Sequence, residues 1–190
     1  LIMVGDDGEN IIAVAPGAND SVVPGDLAKA FLGKGDVALL QHEIPLQTVD
    51  AALDAARAAG AITVLNTAPF RSEAATLLAK ADYVVANETE FDLYGEALSL
   101  KGRDRPARMR DFAGKTGRTI VVTLGGDGVL AATPEDFLTV PALKITPVDT
   151  VGAGDTFCGY LAAGLSSGLA LEQALARAAA AGSLACLKPG

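Results

Sequence analysis

The sequence is short of basic residues. Among its 190 residues, 15 are lysine or arginine and 23 are aspartate or glutamate, so the formal net charge is -8. A protein with so few cations offers no basic face to nucleic-acid phosphates, and we therefore expect no nucleic-acid partner. Beyond that exclusion, the acidity is typical of a protein that stays in solution.

Cysteine is scarce, and long apolar runs are missing. The two cysteines, Cys158 and Cys186, both lie in apolar stretches with helical periodicity. This placement favours two buried thiols of a reducing compartment over a disulfide or a metal pair. No apolar run has the length of a membrane span and no signal-peptide pattern opens the chain, so we expect a cytoplasmic protein without a membrane partner.

Strand-like and helix-like segments alternate along the chain. Half of the residues are hydrophobic, which is enough for one sizeable core in one domain. Strands are predicted at 11–15, 37–41, 62–65, 83–86, 119–124 and, after a turn, 129–131. Helices are predicted at 26–32, 45–60, 74–79, 154–168 and 171–187, and from residues 88 and 111 onward. The alternation predicts an α/β fold whose mostly parallel sheet is covered on both faces.

Chemistry-bearing residues follow the predicted strands. They are Glu43, Asn66, Asn87 and the segment 123–126, and residues 149–155 lead directly into a predicted helix. Because parallel strands present their carboxyl ends at one edge, we expect these residues to lie along a single rim.

The most informative stretch is Asp149-Thr150-Val151-Gly152-Ala153-Gly154-Asp155-Thr156-Phe157. Three small residues before a helix let backbone N–H groups converge, which predicts an anion site. Asp155 has two interpretations. It stabilises a helix dipole as an ordinary first-turn acid, or it is a reactive carboxylate beside the anion.

This stretch and six others resemble the ribokinase-like (PfkB) family of sugar and nucleoside kinases. The supporting segments occur in the family's order: Gly8-Glu9-Asn10, Pro16-Gly17-Ala18-Asn19, Gln41-His42-Glu43, Asn66-Thr67-Ala68-Pro69, Asn87-Glu88-Thr89-Glu90 and Thr123-Leu124-Gly125-Gly126. The resemblance covers nearly the whole chain and implies a ribokinase-like three-layer α/β/α domain over residues 1–190.

The resemblance implies ATP-dependent phosphoryl transfer to a sugar hydroxyl. Asp155 would be the general base and would contact the sugar, and the backbone of Gly152, Ala153 and Gly154 would form the anion hole. Ribose, giving ribose 5-phosphate, is the expected substrate. Another ketose, aldose or nucleoside remains an alternative, as does a truncated nucleotide-binding module without turnover.

The Asn87 and Glu90 pair also has two interpretations. Asn followed three residues later by Glu is the spacing of a helix capping box, which needs no further function. The family resemblance implies that the same residues order Mg²⁺ and its waters against the ATP phosphates, a role that suits a cation retaining several waters. Both roles are compatible.

Other residues receive roles from the resemblance alone. Asn87, Thr123, Gly125, Gly128 and Gly154 would contact the nucleotide. Glu43 would bind the sugar, although a solvated loop glutamate is nearly as good an interpretation, and Asn10, Asn19 and Asn66 would support it. Asp149 and Thr150 would belong to a monovalent-cation loop, usually for K⁺. His42, the one histidine, is expected to be a spectator.

The ends of the chain look cut. It opens inside an apolar segment, and it stops at Gly190, where the family continues. By resemblance, the missing front carries the first strands, the lid and a sugar-gripping Gly-Gly motif. Ribokinases often pair through that lid, so a homodimer is one possible form of the full-length protein. Ala178, Ala179 and Ala180 replace an adenine-side polar residue common in the family, so we expect the base to be held by shape and apolar contact.

Overall fold

A six-stranded sheet forms the centre of the structure, a computed structural model that describes residues 2–4, 10–12, 15–29 and 32–189. The strands are β1 (Ile2–Val4), β2 (Asn10–Ile12), β3 (Val37–Leu40), β4 (Ile62–Asn66), β5 (Tyr83–Asn87), β6 (Thr119–Thr123), β7 (Val129–Ala132) and β8 (Phe137–Val140). The helices are α1 (Leu46–Ala59), α2 (Glu88–Ala97), α3 (Arg105–Thr116), α4 (Ala153–Ser166) and α5 (Leu171–Ala185). Short 3-10 helices span Gly17–Ser21, Pro24–Lys29, Ser72–Lys80 and Gly125–Asp127.

The strand order of the central sheet follows the chain, from β3 to β8. β3, β4, β5 and β6 run parallel, and β7 and β8 are added as an antiparallel hairpin. β1 and β2 pair with each other in a separate antiparallel ribbon. The central sheet is therefore mostly parallel, as the alternation of segments predicted.

Alternate side chains of each central strand enter different cores. Leu65, Val84 and Ile120 pack with α1, α2, α3 and the 72–80 helix on one face. Their neighbours Val64 and Val85 pack with α4 and α5 on the other. Period-two alternation within continuous apolar strands builds both cores at once. The result is the ribokinase-like three-layer α/β/α arrangement expected from the sequence.

The predicted element types are confirmed for most of the chain, with differences at five places. The segments at 26–32 and 74–79 are 3-10 helices, at Pro24–Lys29 and Ser72–Lys80, rather than α-helices. The strand expected at 11–15 is Asn10–Ile12, and residues 13 and 14 lie outside the described part of the chain. The other two differences concern α3 and β8.

Helix α3 begins at Arg105, six residues before the predicted start at residue 111. The charged segment 101–110, which contains Gly102 and Pro106, predicts an exposed connection, but a proline in the first turn of a helix costs no hydrogen bond. Asp104 caps the helix by accepting the backbone N–H of Ala107 at 2.8 Å. Strand β8 was not predicted at all, because it is an edge strand of four residues that only its pairing with β7 identifies.

Both cysteines are free and buried, as predicted. In the described ranges, helices with the length and apolar character needed to cross a bilayer are absent.

Candidate active site

The predicted site residues follow the carboxyl ends of the parallel strands. Asn66 ends β4, Asn87 ends β5 and Thr123 ends β6. Asn87 and Thr123 are direct partners in the β5–β6 register. Since these strands are parallel, their ends meet at one edge of the sheet, which is where ligands bind in this architecture.

Helix α2 begins with the capping box that the spacing predicted. Oδ1 of Asn87 accepts the backbone N–H of Glu90 at 2.8 Å, and Oε2 of Glu90 accepts the N–H of Asn87 at 3.1 Å. This exchange fixes the first turn of the helix and holds the Glu90 carboxylate at the sheet edge.

The N-terminus of α4 forms the second part of the site. Gly152 has a left-handed φ of 72°, which glycine adopts without steric cost and which turns the chain into the helix. The first helical hydrogen bond runs from the N–H of Thr156 to the carbonyl of Gly152 at 2.9 Å. The N–H of Ala153 points back to the carbonyl of Thr150 at 3.3 Å. The N–H groups of Gly154 and Asp155 therefore remain as the open donors of the first turn.

A cavity of about 390 Å³ lies between this helix terminus and the β6–β7 turn. Six residues predicted for the site line it: Thr123, Gly125, Gly128, Thr150, Ala153 and Gly154. Such a volume is in the range of small-molecule sites, roughly 300–1,000 Å³. The structure thus brings together two segments that are about 25 residues apart in the sequence, counted from Gly128 to Ala153.

Two further elements supply most of the remaining cavity wall, and the sequence singled out Ala179 and Cys186 among their residues but none of the loop residues. The loop after β8 contributes Ala142, Leu143, Lys144, Ile145 and Pro147, and α5 contributes Ala179, Gly182, Ser183 and Cys186 at its end. Of the residues described around the cavity, Lys144 alone carries a charge. Thr146, Pro147 and Val148 directly precede the glycine motif, so the sequence indicated that this loop leads to the site. Which of its side chains reach the cavity depends on the tertiary fold.

The wall formed by α5 is apolar and lies close to α4. A Cβ on Gly182 would lie 3.2 Å from the carbonyl oxygen of Ala153, so a small residue is needed there. Ala179 lines the cavity and, like Ala178, also packs in the core. How the alanine run would contact a base stays a prediction.

The charges of two carboxylates help to raise the pKa of one buried thiol in α4. The pKa of Cys158 is raised to about 12, first by burial and then by the negative charges of Asp155 and Glu90. Both carboxylates therefore lie within electrostatic range of Cys158. Asp155 itself is exposed in the first turn of α4.

Asp149 lies beside the end of α5. The N–H groups of Val148 and Asp149 both donate to the carbonyl of Cys186, at 2.7 and 3.2 Å. Oδ1 of Asp149 accepts the N–H of Val151 at 2.9 Å. The loop that carries Asp149 and Thr150 is thereby joined to the backbone near residue 186.

The residues assigned to the sugar side are described unevenly. Glu43 is exposed three residues after β3, and its N–H donates to Oε1 of Gln41. Asn19 and Asn66 are half-buried. Gly8 and Glu9 lie outside the described residues, and of Asn10 only the backbone is described.

His42 lies in the interior and not on the rim. Its side chain is 1% exposed, and Nδ1 lies 3.3 Å from the carbonyl of Pro69 and 3.2 Å from the hydroxyl of Tyr94. Burial lowers the pKa of His42 below its ordinary value of 6.5. These contacts give the residue a packing role, in keeping with the expectation that it is a spectator.

Comparison with known proteins identifies the family of the chain. The model of the pfkB family of carbohydrate kinases matches residues 1–190. The chain belongs to this family.

Relatives within the family include sugar kinases. The chain is 34% identical over 161 residues to a ribokinase of Staphylococcus aureus, covering 84% of this chain and 53% of that protein. It is 35% identical over 165 residues to a deoxyribokinase of Salmonella typhi, covering 85% and 54%. The structure of Arabidopsis thaliana ribokinase complexed with ribose and ATP superposes with a TM-score of 0.79 at 28% identity, covering 100% and 62%. The chain thus spans a little over half the length of these curated relatives.

Proposed function

We propose that this chain carries the nucleotide site and the phosphoryl-transfer residues of an ATP-dependent sugar kinase that converts ribose to ribose 5-phosphate. The observation that carries the proposal is the mouth of α4, where an exposed carboxylate and two open N–H groups adjoin a glycine-lined cavity. Family membership supports the reaction class.

Asp155 is the proposed general base. The oxygen of the sugar's primary hydroxyl forms a bond to the γ-phosphorus, and the hydroxyl proton passes to the Asp155 carboxylate. The bond between the γ-phosphorus and the β–γ bridging oxygen breaks, which releases ADP. An exposed carboxylate in the first turn of a helix can reach a sugar placed above it. We assign it the sugar-contacting role for the same reason.

The proposed anion hole uses the turn of Gly152, Ala153 and Gly154. Because the N–H of Ala153 is directed to Thr150, we assign the hydrogen bonds to the phosphoryl oxygens to Gly154 and Asp155. Preorganised donors at a helix N-terminus stabilise the charge that develops during transfer.

The nucleotide is proposed to occupy the cavity beside this turn, against Thr123, Gly125 and Gly128. The apolar wall from α5 would pack on the base, and the ammonium group of Lys144 would attract the phosphates. The positive charge of Lys144 would offset the repulsion that a chain of net charge -8 exerts on an anionic ligand.

Glu90 and Asn87 are the proposed Mg²⁺ residues, acting through water. In the described part of the chain, no group of three or more acidic, histidine or cysteine side chains could hold a metal directly. A single carboxylate with a free oxygen does fit a hydrated Mg²⁺ that ATP brings with it, since Mg²⁺ keeps several waters. The ion would neutralise phosphate charge, and the capping box holds Glu90 in position for its waters.

Asp149 and Thr150 are the proposed monovalent-cation loop, supported by the junction of this loop with the backbone at Cys186. If K⁺ binds there, replacing KCl by tetramethylammonium chloride lowers kcat of the full-length enzyme. An unchanged kcat would contradict this assignment.

Deoxyribose is a second candidate substrate, because the deoxyribokinase relative is as similar to this chain as the ribokinase relative. Glu43 is the proposed sugar-binding acid in either case. A coupled assay of ADP release on ribose, deoxyribose, fructose and adenosine separates the candidates. It is run on the protein at its full natural length and on residues 1–190. ATP binding without ADP release on any acceptor in the full-length protein would favour a nucleotide-binding module.

Asp155→Asn tests the mechanism. Loss of a positioned base lowers kcat by about 10²–10⁴, and ATP affinity changes little because the backbone donors remain. Steady-state ADP release and calorimetric titration with ATP measure the two effects.

Glu172→Gln is the matched control, since Glu172 is the first-turn acid of α5 and is exposed. This change removes a helix-dipole interaction of about 0.3–1 kcal/mol and leaves kcat unchanged. Equal small effects of the two substitutions would make Asp155 a dipole residue only.

A further inference from the structure

We infer that Thr67 is a positioning residue that fixes the Glu90 carboxylate for the Mg²⁺-bound nucleotide. This inference rests on the proposed function. Its observation is a hydrogen bond that neither the capping box nor the strand pairing requires: the hydroxyl of Thr67 donates to Oε2 of Glu90 at 2.9 Å.

Thr67 is itself held firmly. It follows the last residue of β4, its side chain is fully buried, and its N–H donates to the carbonyl of Val85 at 2.8 Å. A β-branched side chain has few rotamers, so a fixed backbone also fixes the direction of the hydroxyl.

The residues after Thr67 are anchored as well. The N–H of His42 donates to the carbonyl of Ala68 at 2.9 Å. The hydroxyl of Tyr94 accepts the N–H of Arg71 at 3.1 Å and lies 3.0 Å from its carbonyl, to which it donates. His42 and Tyr94 are both buried. They hold the segment that presents Thr67 to the sheet edge, which gives these interior residues a link to the site.

The two oxygens of Glu90 have different surroundings. Oε2 accepts both the Thr67 hydroxyl and the N–H of Asn87. In the described residues, Oε1 receives no hydrogen bond. Two donors on one oxygen fix the plane of the carboxylate, and the other oxygen is directed away from them and can accept a hydrogen bond from metal-bound water.

The need to cap helix α2 does not by itself explain the hydrogen bond from Thr67 to Glu90. The capping box is complete with Asn87 and Glu90 alone. The hydroxyl comes from the residue after β4, 23 residues earlier in the chain, so the capping box of α2 is complete without it. What it adds is a defined orientation of one carboxylate, and metal sites depend on such outer partners for about 10- to 100-fold in affinity or activity.

The test compares Thr67→Val with Thr67→Ser in the full-length protein. Binding of a non-hydrolysable ATP analogue is measured by calorimetry across a Mg²⁺ titration and also without metal. We expect Thr67→Val to raise the Mg²⁺ concentration for half-maximal binding by about 10- to 100-fold, with metal-free affinity unchanged. Thr67→Ser retains the hydroxyl and restores the wild-type titration. Thr67→Ala also lacks the hydroxyl but has a smaller side chain, and its Mg²⁺ titration is measured alongside that of Thr67→Val.

Thr48→Val is the matched control. Thr48 is also fully buried, and its hydroxyl donates to the carbonyl of Val22 at 2.8 Å, so the loss of burial and hydrogen bonding is comparable. The inference is overturned if Thr67→Val and Thr67→Ala give the same Mg²⁺ titration as Thr48→Val. It is also overturned if they weaken nucleotide binding without metal as much as binding with Mg²⁺. Either result would make Thr67 a structural residue. Failure of the proposed function is a separate outcome, because it leaves the wild-type protein without ADP release on any sugar while the binding titration still decides the role of Thr67.

Discussion

At the scale of single residues, two glycines of the β6–β7 turn lie on the same cavity for different reasons. Gly125 has φ 54°, and a Cβ there would meet open space. Gly128 has φ 99°, and a Cβ there would lie 2.1 Å from the carbonyl oxygen of Val140. Gly128 therefore permits the close approach of the loop after β8, whereas Gly125 leaves room on the ligand side.

The two glycines predict different effects of substitution. Gly128→Ala combines a backbone clash with an unfavourable φ, so we expect the free energy of unfolding to fall by about 3 kcal/mol or more. Gly125→Ala adds only the left-handed conformation, about 1–2 kcal/mol, and its main effect is weaker nucleotide binding. Urea unfolding and nucleotide titration distinguish them. Equal losses of stability would contradict the geometry of the turn.

Residue-level prediction from the sequence was good where chemistry depends on spacing along the chain. The Asn87–Glu90 capping box is present as the spacing indicated, and the small residues before α4 form a helix N-terminus with open donors. The catalytic and metal roles of these residues stay predictions. Lys144 and Thr67 were not assigned roles, because a lone lysine and a lone threonine carry no pattern.

At the scale of elements, the start of α3 shows how a cap outweighs a breaker signal. Asp104 supplies a side-chain oxygen to the first turn, and Pro106 stands where a missing N–H has no effect. The charged segment before residue 111, which suggested a connection, is therefore mostly helix.

This cap has a measurable value. Asp104→Ala removes the bond to Ala107 and is expected to lower the free energy of unfolding by about 0.5–2 kcal/mol. Arg103→Ala, at the preceding exposed position, is the control and changes it by less than about 0.5 kcal/mol. Chemical unfolding monitored by circular dichroism gives both values. If Asp104→Ala leaves the free energy of unfolding unchanged, Asp104 does not cap α3 and the helix begins further along the chain.

At the scale of the whole molecule, the burial of His42 predicts that stability depends on pH. Burial holds its pKa below 6.5 in the folded state. As pH falls below 6.5, His42 becomes protonated in the unfolded chain while it stays neutral in the folded protein, so the unfolded state is favoured. The stabilisation is thus present above pH 6.5 and is lost as pH falls toward the folded pKa.

The corresponding measurement is the free energy of unfolding as a function of pH. We expect a loss of up to about 1.4 kcal/mol per pH unit below pH 6.5 from this residue. His42→Gln keeps a polar side chain without a titratable ring, so the difference between its pH profile and that of the wild type isolates the histidine. Parallel profiles from pH 5 to 7 would show that His42 titrates normally.

The sequence by itself determined the family, the mostly parallel sheet and the sheet edge where the candidate residues were expected. These features depend on periodicity and on motif spacing, which are properties of neighbouring residues. The tertiary structure decided which loop closes the cavity beside the N-terminus of α4, that β8 joins β7 at the sheet edge, and that Thr67 reaches Glu90. Those features join residues distant along the chain, and only the packing of strands and helices brings such residues into contact.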